Sequence, residues 1–130
     1  MDIQGSVVMV VDDEDLVREM ARLALEAEGL VVLTARNGVE ALLLAERHGG
    51  PIHLLLTDLS MPPYMDGLEL ARSLRCARPG LQVLFLSARG HEVPMPIDPD
   101  SGAALVAKPF TSETLVERVR AALESLDVET

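Results

Sequence analysis

The stretch Leu54-Leu55-Leu56-Thr57-Asp58 predicts a buried strand that ends in a carboxylate. Three leucines in a row are typical of a strand that is buried on both faces, as in the middle of a parallel sheet. An ionised carboxylate beside a dry core is costly unless another group pairs with it. Turn-forming residues follow at 61–67, so Asp58 is expected at a strand end that faces a loop. Ligands of open α/β sheets bind at such strand ends.

Four more apolar runs alternate with helical patterns along the chain. Helices that connect successive strands by right-handed crossovers make a parallel sheet with helices on both faces. The sequence therefore predicts an α/β, doubly wound parallel sheet. The predicted strands are residues 6–11, 30–33, 54–58, 81–86 and 103–107.

The first helix has a clear start and a clear end. Glu14 or Asp15 can open it, since acids favour the positive N-terminal end of a helix, and Gly29 ends it. Apolar residues recur at helical spacing in between and are expected to pack on the sheet. These residues are Leu16, Val17, Met20, Leu23 and Ala24.

Three of the other connections are also helical. The second helix follows Asn37-Gly38 and ends at 48–50, the third runs from Gly67 to Pro79-Gly80, and the last runs from 111 or 112 to 126. The connection before the fifth strand differs, because prolines at 94, 96 and 99 prevent a full helix.

Length and composition bound the class of protein. The chain has 130 residues, of which 48% are hydrophobic and 25% charged, as in a soluble globular domain. We expect one domain over residues 1–130, with its core at about 5–126. The net charge of −10 disfavours nucleic acid and anionic membranes as partners, and no apolar run is long enough to span a bilayer. A single cysteine fits a reducing cytoplasm.

Polar side chains stand at the ends of the predicted strands. Asp12 and Asp13 follow the first strand, Asp58 ends the third, Ser87 follows the fourth and Lys108 the fifth. The ends of parallel strands point the same way, so these groups should converge. Three carboxylates and one ammonium carry a formal charge of −2, which a divalent cation would cancel. Oxygen ligands without a neighbouring His or Cys favour Mg²⁺ over zinc.

This set of groups suits chemistry on a phosphoryl group. A Mg²⁺ ion held by Asp13 and Asp58 would let an anionic phosphoryl group approach Asp58. A carboxylate can attack phosphorus as a nucleophile and give an aspartyl phosphate. Lys108 and the Ser87 hydroxyl are placed to hold the phosphoryl oxygens, and phosphoryl transfer needs mainly positioning and charge neutralisation.

Together these motifs resemble a receiver domain of two-component signalling, over essentially the whole chain. The resemblance implies a flavodoxin-like (βα)5 fold with strand order 2-1-3-4-5, in which the fourth helix is short or irregular here. It also implies a phosphoacceptor switch, not a metabolic enzyme, that catalyses only its own phosphorylation and slow hydrolysis. The matching residues are Val10 to Glu14, Asp58 with Met61-Pro62 and Asp66-Gly67, Ser87-Ala88, and Lys108-Pro109-Phe110.

The resemblance further implies a metal site and partners. Mg²⁺ would be held by Asp13, Asp58 and the backbone carbonyl of Ser60, with Asp12 acting through water. The phosphoryl group would come from a histidine kinase or a histidine phosphotransfer domain. The Lys108-Pro109 bond would be cis, and the protein would be a monomer or weak dimer.

Three features depart from the commonest receiver pattern. The loop after Asp58 is one residue longer, with Pro63-Tyr64 where one residue is usual, as in receivers attached to hybrid histidine kinases. Leu105 stands where many receivers have a switching Tyr or Phe, and prolines break the fourth helix. The longer loop leaves the chemistry intact, whereas the other two concern the usual mechanism of output.

Two other protein classes fit part of the pattern. A Mg²⁺-dependent phosphohydrolase with an aspartate nucleophile would carry a second acid two residues later, where this chain has Ser60. A flavin-binding redox carrier would need a phosphate-binding loop after the first strand, where acids would repel the phosphate.

The remaining reactive side chains have ordinary structural interpretations. His53 lies at the far end of the third strand, roughly 16 Å from Asp58 at about 3.3 Å per residue. His48 precedes two glycines at a helix end, where a partly charged imidazole is favourable. Cys76 is expected to be a partly packed helix residue.

Overall fold

The strands of the protein form one sheet whose carboxyl ends share an edge. The computed structural model describes residues 3–60, 65–87 and 104–128. The strands in these ranges are β1 Val7–Val11, β2 Val31–Ala35, β3 Leu54–Asp58, β4 Gln82–Ser87 and β5 Ala104–Ala107. They pair in parallel in the order β2-β1-β3-β4-β5, which confirms the predicted flavodoxin-like arrangement.

Helices cover both faces of this sheet. In the described ranges they are α1 Asp15–Glu26, α2 Gly38–Arg47, α3 Gly67–Ala77 and α4 Ser112–Val128. The side chains of β1 alternate, so that Val8 and Val10 pack with α1 and α4 while Met9 packs with α2 and α3. None of these four helices is long and apolar enough to cross a bilayer.

The central strand β3 is buried along its whole length, as its run of leucines predicts. It pairs with β1 on one side and with β4 on the other. Leu54 and Leu56 pack with α1 and α4, and Leu55 packs against the opposite layer. Asp58 therefore stands at the tip of an enclosed strand.

Side-chain caps fix the start of two helices at the predicted places. The Asn37 side chain accepts a hydrogen bond of 2.8 Å from the amide of Glu40, and Asp66 accepts one of 2.8 Å from the amide of Glu69. Each bond satisfies an amide that the helix itself leaves without a partner. The loop after Asp58 thus ends at a fixed helix start, directly before Gly67.

The outward face of α1 differs from the prediction. Ala21 and Leu25 are the buried residues of this helix, and Val17 packs against the same cluster. Leu16 is 86% exposed and Leu23 is 56% exposed, so the expectation that they pack on the sheet is wrong. Both project roughly 140–160° around the helix axis from Ala21, because each residue advances the helix by about 100°.

The second strand starts later than predicted. Leu30 is buried, but its amide donates to the carbonyl of Leu25 at 3.3 Å and closes the end of α1. Sheet pairing begins at Val31, whose amide donates to the carbonyl of Ser6 at 2.9 Å. Two other predicted features, the proline-broken region and the Pro63-Tyr64 loop, lie outside the described residues.

Candidate functional site

The carboxyl edge of the sheet brings together charged groups from distant parts of the chain. Asp12 follows β1, Asp58 ends β3 and Lys108 follows β5. The strand pairs Val11–Thr57 and Asp58–Leu86 keep these ends level. The predicted convergence of Asp12, Asp58 and Lys108 is therefore what the structure shows.

The ammonium of Lys108 lies among three carboxylates. Its Nζ is 2.8 Å from Asp12 Oδ2, 3.1 Å from Glu14 Oε1 and 3.2 Å from Asp58 Oδ2. No other lysine occurs in the sequence. The side chain of Lys108 is only 11% exposed, so its ion pairs with the buried acids Asp12 and Asp58 are shielded from bulk water.

Burial and charge shift two pKa values in this site. Burial raises the pKa of the Asp12 carboxyl above its usual value, although the Lys108 ammonium and the Glu14 amide oppose the shift. Burial lowers the pKa of Lys108, but its contacts with Asp12, Asp58 and Glu14 outweigh burial and raise the pKa overall. Lys108 is thus held as a cation.

The acidic groups exceed what one ammonium can neutralise. Carboxylate oxygens of Asp12, Asp13, Glu14 and Asp58 all lie within 4.8 Å of one another. With Lys108 they carry a formal charge of −3. Asp12 Oδ2 is buried and accepts no hydrogen bond from the described residues, although it faces the Lys108 ammonium. A surplus of hard oxygen donors around such an atom fits a divalent cation of the Mg²⁺ type.

Backbone contacts fix the position of Asp58. Its Oδ1 accepts a hydrogen bond of 3.2 Å from the amide of Ser60. The amide of Leu59 donates to the carbonyl of Leu86 at 3.0 Å, and the amide of Gly67 donates to the carbonyl of Leu59 at 2.9 Å. Gly67 packs so closely that an added Cβ would overlap the carbonyl oxygen of Asp58. The loop after Asp58 is therefore closed at its base.

The other side of the site is formed by the ends of β4 and β5. The amide of Lys108 donates to the carbonyl of Ser87 at 2.8 Å, which keeps the two predicted residues adjacent. Ser87 is 7% exposed. The Lys108-Pro109 peptide bond is cis, as the resemblance implies.

The predicted metal-site residues occupy different environments. Asp12 is fully buried, whereas Asp13 is exposed, although the carboxylates of both belong to the acidic cluster. Ser60 is exposed and provides its amide to Asp58. Asp13 and Ser60 are thus the two exposed residues of the predicted metal set.

Two residues of the site were not predicted from the sequence. Glu14 was interpreted as a possible helix start and as part of the receiver motif at 10–14, with no role assigned to its carboxylate, yet that carboxylate contacts Lys108. The guanidinium of Arg18 donates to the carbonyl of Asp12 at 2.9 Å and pairs with Asp15, so it ties the end of β1 to α1. The acidic run at 12–15 and the receiver motif at 10–14 pointed towards Glu14, but neither predicts its contact with Lys108.

Two histidines expected to be structural, His48 and His53, lie away from the acidic cluster, and His91, for which the same role is expected, lies outside the described residues. His53 Nδ1 accepts a hydrogen bond of 2.9 Å from the amide of Val7, at the amino edge of the sheet. His48 lies at the end of α2 and its Nε2 is 3.2 Å from the carbonyl of Pro51. Cys76 is exposed, so the expectation of partial packing is wrong. This residue lies on the outer face of α3.

A known protein family and several curated proteins match this chain. The family model of the response regulator receiver domain matches residues 8–120. The sensor kinase CckA of Brucella abortus (strain 2308) is 36% identical over 130 residues, covering 97% of this chain and 13% of the kinase. The probable transcriptional regulatory protein TcrX of Mycobacterium tuberculosis is 38% identical, covering 99% of this chain and 54% of that protein. The chain thus spans only part of these relatives.

Solved structures give the same result. The receiver domain of the hybrid histidine kinase CckA is similar with a TM-score of 0.77 at 35% identity, over 91% of this chain and 99% of that chain. The chemotaxis response regulator CheY4 of Vibrio cholerae is similar with a TM-score of 0.79 at 28% identity, over 92% of this chain and all (100%) of that chain. The chain belongs to the response regulator receiver domain family, the phosphoacceptor signalling modules of two-component systems.

Proposed function

We propose that Asp58 is the phosphoacceptor of this receiver domain and that it takes its phosphoryl group from a histidine kinase or a histidine phosphotransfer domain. One observation carries the proposal: the Lys108 ammonium lies 3.2 Å from a carboxylate that is almost fully buried at a strand tip. A buried acid with a fixed cation beside it and an open acidic face next to it suits attack on phosphorus.

The residues of this chain supply both the nucleophile, Asp58, and the positive charge that neutralises the phosphoryl oxygens, Lys108. A carboxylate oxygen of Asp58 forms the new bond to phosphorus as the P–N bond of a phosphohistidine breaks, and the histidine nitrogen leaves with the electron pair. The Lys108 ammonium neutralises charge on the phosphoryl oxygens, and the Ser87 hydroxyl provides a further polar contact. The amide of Ser60 orients Asp58 through Oδ1.

The acidic cluster is proposed to hold Mg²⁺. Asp13, Asp58 and the backbone carbonyl of Ser60 would be its direct ligands, and Asp12 would act through water. Bound there, Mg²⁺ would offset the repulsion between Asp58 and an anionic phosphoryl group. The oxygen-only donor set and the surplus negative charge support this assignment.

The alternatives from the sequence are not favoured. A phosphohydrolase would require a general acid at position 60, where the structure has an exposed serine. A flavin carrier would place phosphate beside the acids at 12–14, which carry the wrong charge. The receiver family is a signalling family and not one of metabolic enzymes. Self-catalysed phosphorylation followed by slow hydrolysis of the aspartyl phosphate is therefore the activity that we propose.

Several properties of the whole protein remain proposals. Residues 1–130 are proposed to form one receiver domain, and a monomer or weak dimer remains our prediction. The cytoplasmic location expected from the sequence is likewise a prediction.

Phosphorylation by a small donor tests the assignment. Acetyl phosphate with Mg²⁺ should add one phosphoryl group, detectable by intact mass spectrometry and removed by hydroxylamine, which cleaves acyl phosphates. Asp58→Asn should not be modified. Asp15→Asn, which removes an exposed acid that pairs with Arg18, is the matched control and should be modified normally. Equal modification of Asp58→Asn would refute the proposed acceptor.

A further inference from the structure

Glu14 occupies a helix cap but its side chain does not cap the helix. It is the N-cap residue of α1, and it makes no side-chain hydrogen bond to the first turn, which is the usual role of a side chain at this position. Its amide donates to Asp12 Oδ1 at 2.9 Å. Its Oε1 instead lies 3.1 Å from Nζ of Lys108, a residue 94 positions later in the chain.

The three carboxylates around Lys108 differ in their contact with water. The side chain of Asp12 is fully buried and that of Asp58 is 9% exposed, but that of Glu14 is 60% exposed. Three carboxylates already surround the ammonium group, which has three N–H donors, so an added anionic oxygen can approach Lys108 only by displacing one of these carboxylates. Glu14 is the partner that can exchange Lys108 for water at the lowest cost, because its carboxylate is already largely hydrated.

We infer that Glu14 is a positioning residue that holds Lys108 in the unphosphorylated state and competes with the phosphoryl group for the same ammonium. This inference rests on the proposed role of Asp58. A phosphoryl group on Asp58 brings new anionic oxygens to the site, and each contact they make with Lys108 displaces a contact with Glu14. The Glu14 charge also repels those oxygens, so both effects lower the occupancy of a phosphoryl group at Asp58.

The expected size of the effect follows from the exposure of Glu14. Ion pairs with an exposed partner have small interaction energies. Loss of the competing carboxylate should therefore tighten the binding of a phosphoryl mimic by about two- to fivefold. Glu14 should therefore adjust the affinity for the mimic only modestly, by less than the loss of Mg²⁺ affinity expected when a direct metal ligand is removed.

The probe is beryllofluoride, which binds to the phosphoacceptor aspartate as a mimic of the phosphoryl group, without any phosphoryl transfer. At saturating Mg²⁺, Glu14→Gln should bind it about two- to fivefold more tightly than the wild type. Glu14→Asp keeps the charge but shortens the side chain, so it should lose the Lys108 contact and show a smaller gain. Glu19→Gln is the matched control: Glu19 lies on the same helix and pairs with Arg22, and its loss should leave the affinity unchanged.

A second readout does not depend on phosphorylation. The chain has one lysine, so ¹⁵N-resolved NMR of side-chain ammonium groups gives one Nζ signal without assignment. In Mg²⁺-free protein this signal should shift in Glu14→Gln and in Glu14→Asp, and should exchange faster with water, but not in Glu19→Gln. An unchanged Nζ signal, or an affinity for beryllofluoride that is equal or weaker in Glu14→Gln, overturns the inference.

Two further outcomes separate the possible errors. If Glu14→Gln weakens Mg²⁺ binding as strongly as Asp13→Asn does, Glu14 is a metal ligand and the inference is wrong while the proposed function stands. If the wild-type protein binds no beryllofluoride with Mg²⁺, the proposed function fails, and the inference fails with it even where the Nζ signal responds.

Discussion

The Lys108 ammonium lies closer to Asp12 than to Asp58, at 2.8 Å from Asp12 Oδ2 and 3.2 Å from Asp58 Oδ2. Asp12 is fully buried and cannot move away from this contact without disturbing the end of β1. Lys108 is therefore anchored by one acid while it faces another, and the contact with Asp58 can change without releasing the lysine.

Removing Lys108 should destabilise the Mg²⁺-free protein. Lys108→Ala leaves Asp12 as a buried charge without its cation, and breaking such a pair costs about 3 kcal/mol. Urea unfolding should show this loss, and added Mg²⁺ should recover part of it because Mg²⁺ affinity is retained or slightly raised. Arg36→Ala removes an exposed cation paired with Glu40 and should change stability by less than about 0.5 kcal/mol. Loss of Mg²⁺ binding in Lys108→Ala would contradict the proposed geometry.

The raised pKa of Asp12 predicts a specific pH dependence. An acid whose pKa is higher in the folded state holds its proton more tightly there, so its contribution to stability is greatest below the unfolded value of 3.8 and is lost as pH rises through the folded value. In Mg²⁺-free buffer, the wild type should therefore lose stability relative to Asp12→Asn as the pH rises. Denaturant titrations of both proteins at about pH 3.5, slightly below the usual pKa of an aspartate, and at about pH 7, well above it, give the comparison. A constant difference between the two proteins would show that the pKa is not raised.

Asp13 should be required for Mg²⁺ and dispensable for folding. Because its side chain is exposed, Asp13→Asn should leave the Mg²⁺-free melting temperature unchanged or slightly raised. Mg²⁺ at about 100 times its dissociation constant should stabilise the wild type by about 2.7 kcal/mol, and this gain should be absent in Asp13→Asn. Thermal unfolding with and without Mg²⁺ measures both effects. Asp15→Asn should keep the full gain, and a full gain in Asp13→Asn would exclude it as a direct ligand.

Gly67 should not tolerate a side chain. In Gly67→Ala the new Cβ would meet the Asp58 carbonyl oxygen and lie 3.1 Å from Leu59 Cα, so backbone would have to move. We expect a loss of about 2–3 kcal/mol in the free energy of unfolding and weaker Mg²⁺ binding, since the strand tip shifts. Gly80→Ala, where nothing lies within 4 Å of the added Cβ, is the control and should be near neutral. Equal stability of the two variants would show that the strand tip adapts freely.

The sequence was sufficient to predict the position of those site residues that follow directly from the end of a strand. Apolar runs that end in Asp12, Asp58 and Lys108 are sufficient to predict convergence, because parallel strands end at one edge of a sheet. The face of α1 that packs against the sheet could not be predicted in the same way. Leu16 and Leu23 keep helical spacing with Met20, and only tertiary packing decides which of two apolar stripes is buried.

Long side chains that act across the fold were also missed. Arg78 donates hydrogen bonds to the carbonyls of Ala45, His48 and Gly50 and so closes the end of α2 from the end of α3. Glu14 reaches Lys108 in the same manner. No local pattern marks such contacts, since a residue's neighbours in sequence do not reveal what its side-chain tip meets.

The hydrogen bond from the Gly67 amide to the Leu59 carbonyl closes the segment after Asp58 into a ring at its base. Ser60, which contacts Asp58, and Asp66, which caps α3, lie next to that bond, so a change in the number of residues between them should leave the positions of Asp58 and α3 unchanged. The entropy of closing such a ring grows slowly with its length. This segment is consequently where the domain can accept an inserted peptide, such as an epitope or a fluorescent reporter, directly beside its acidic cluster.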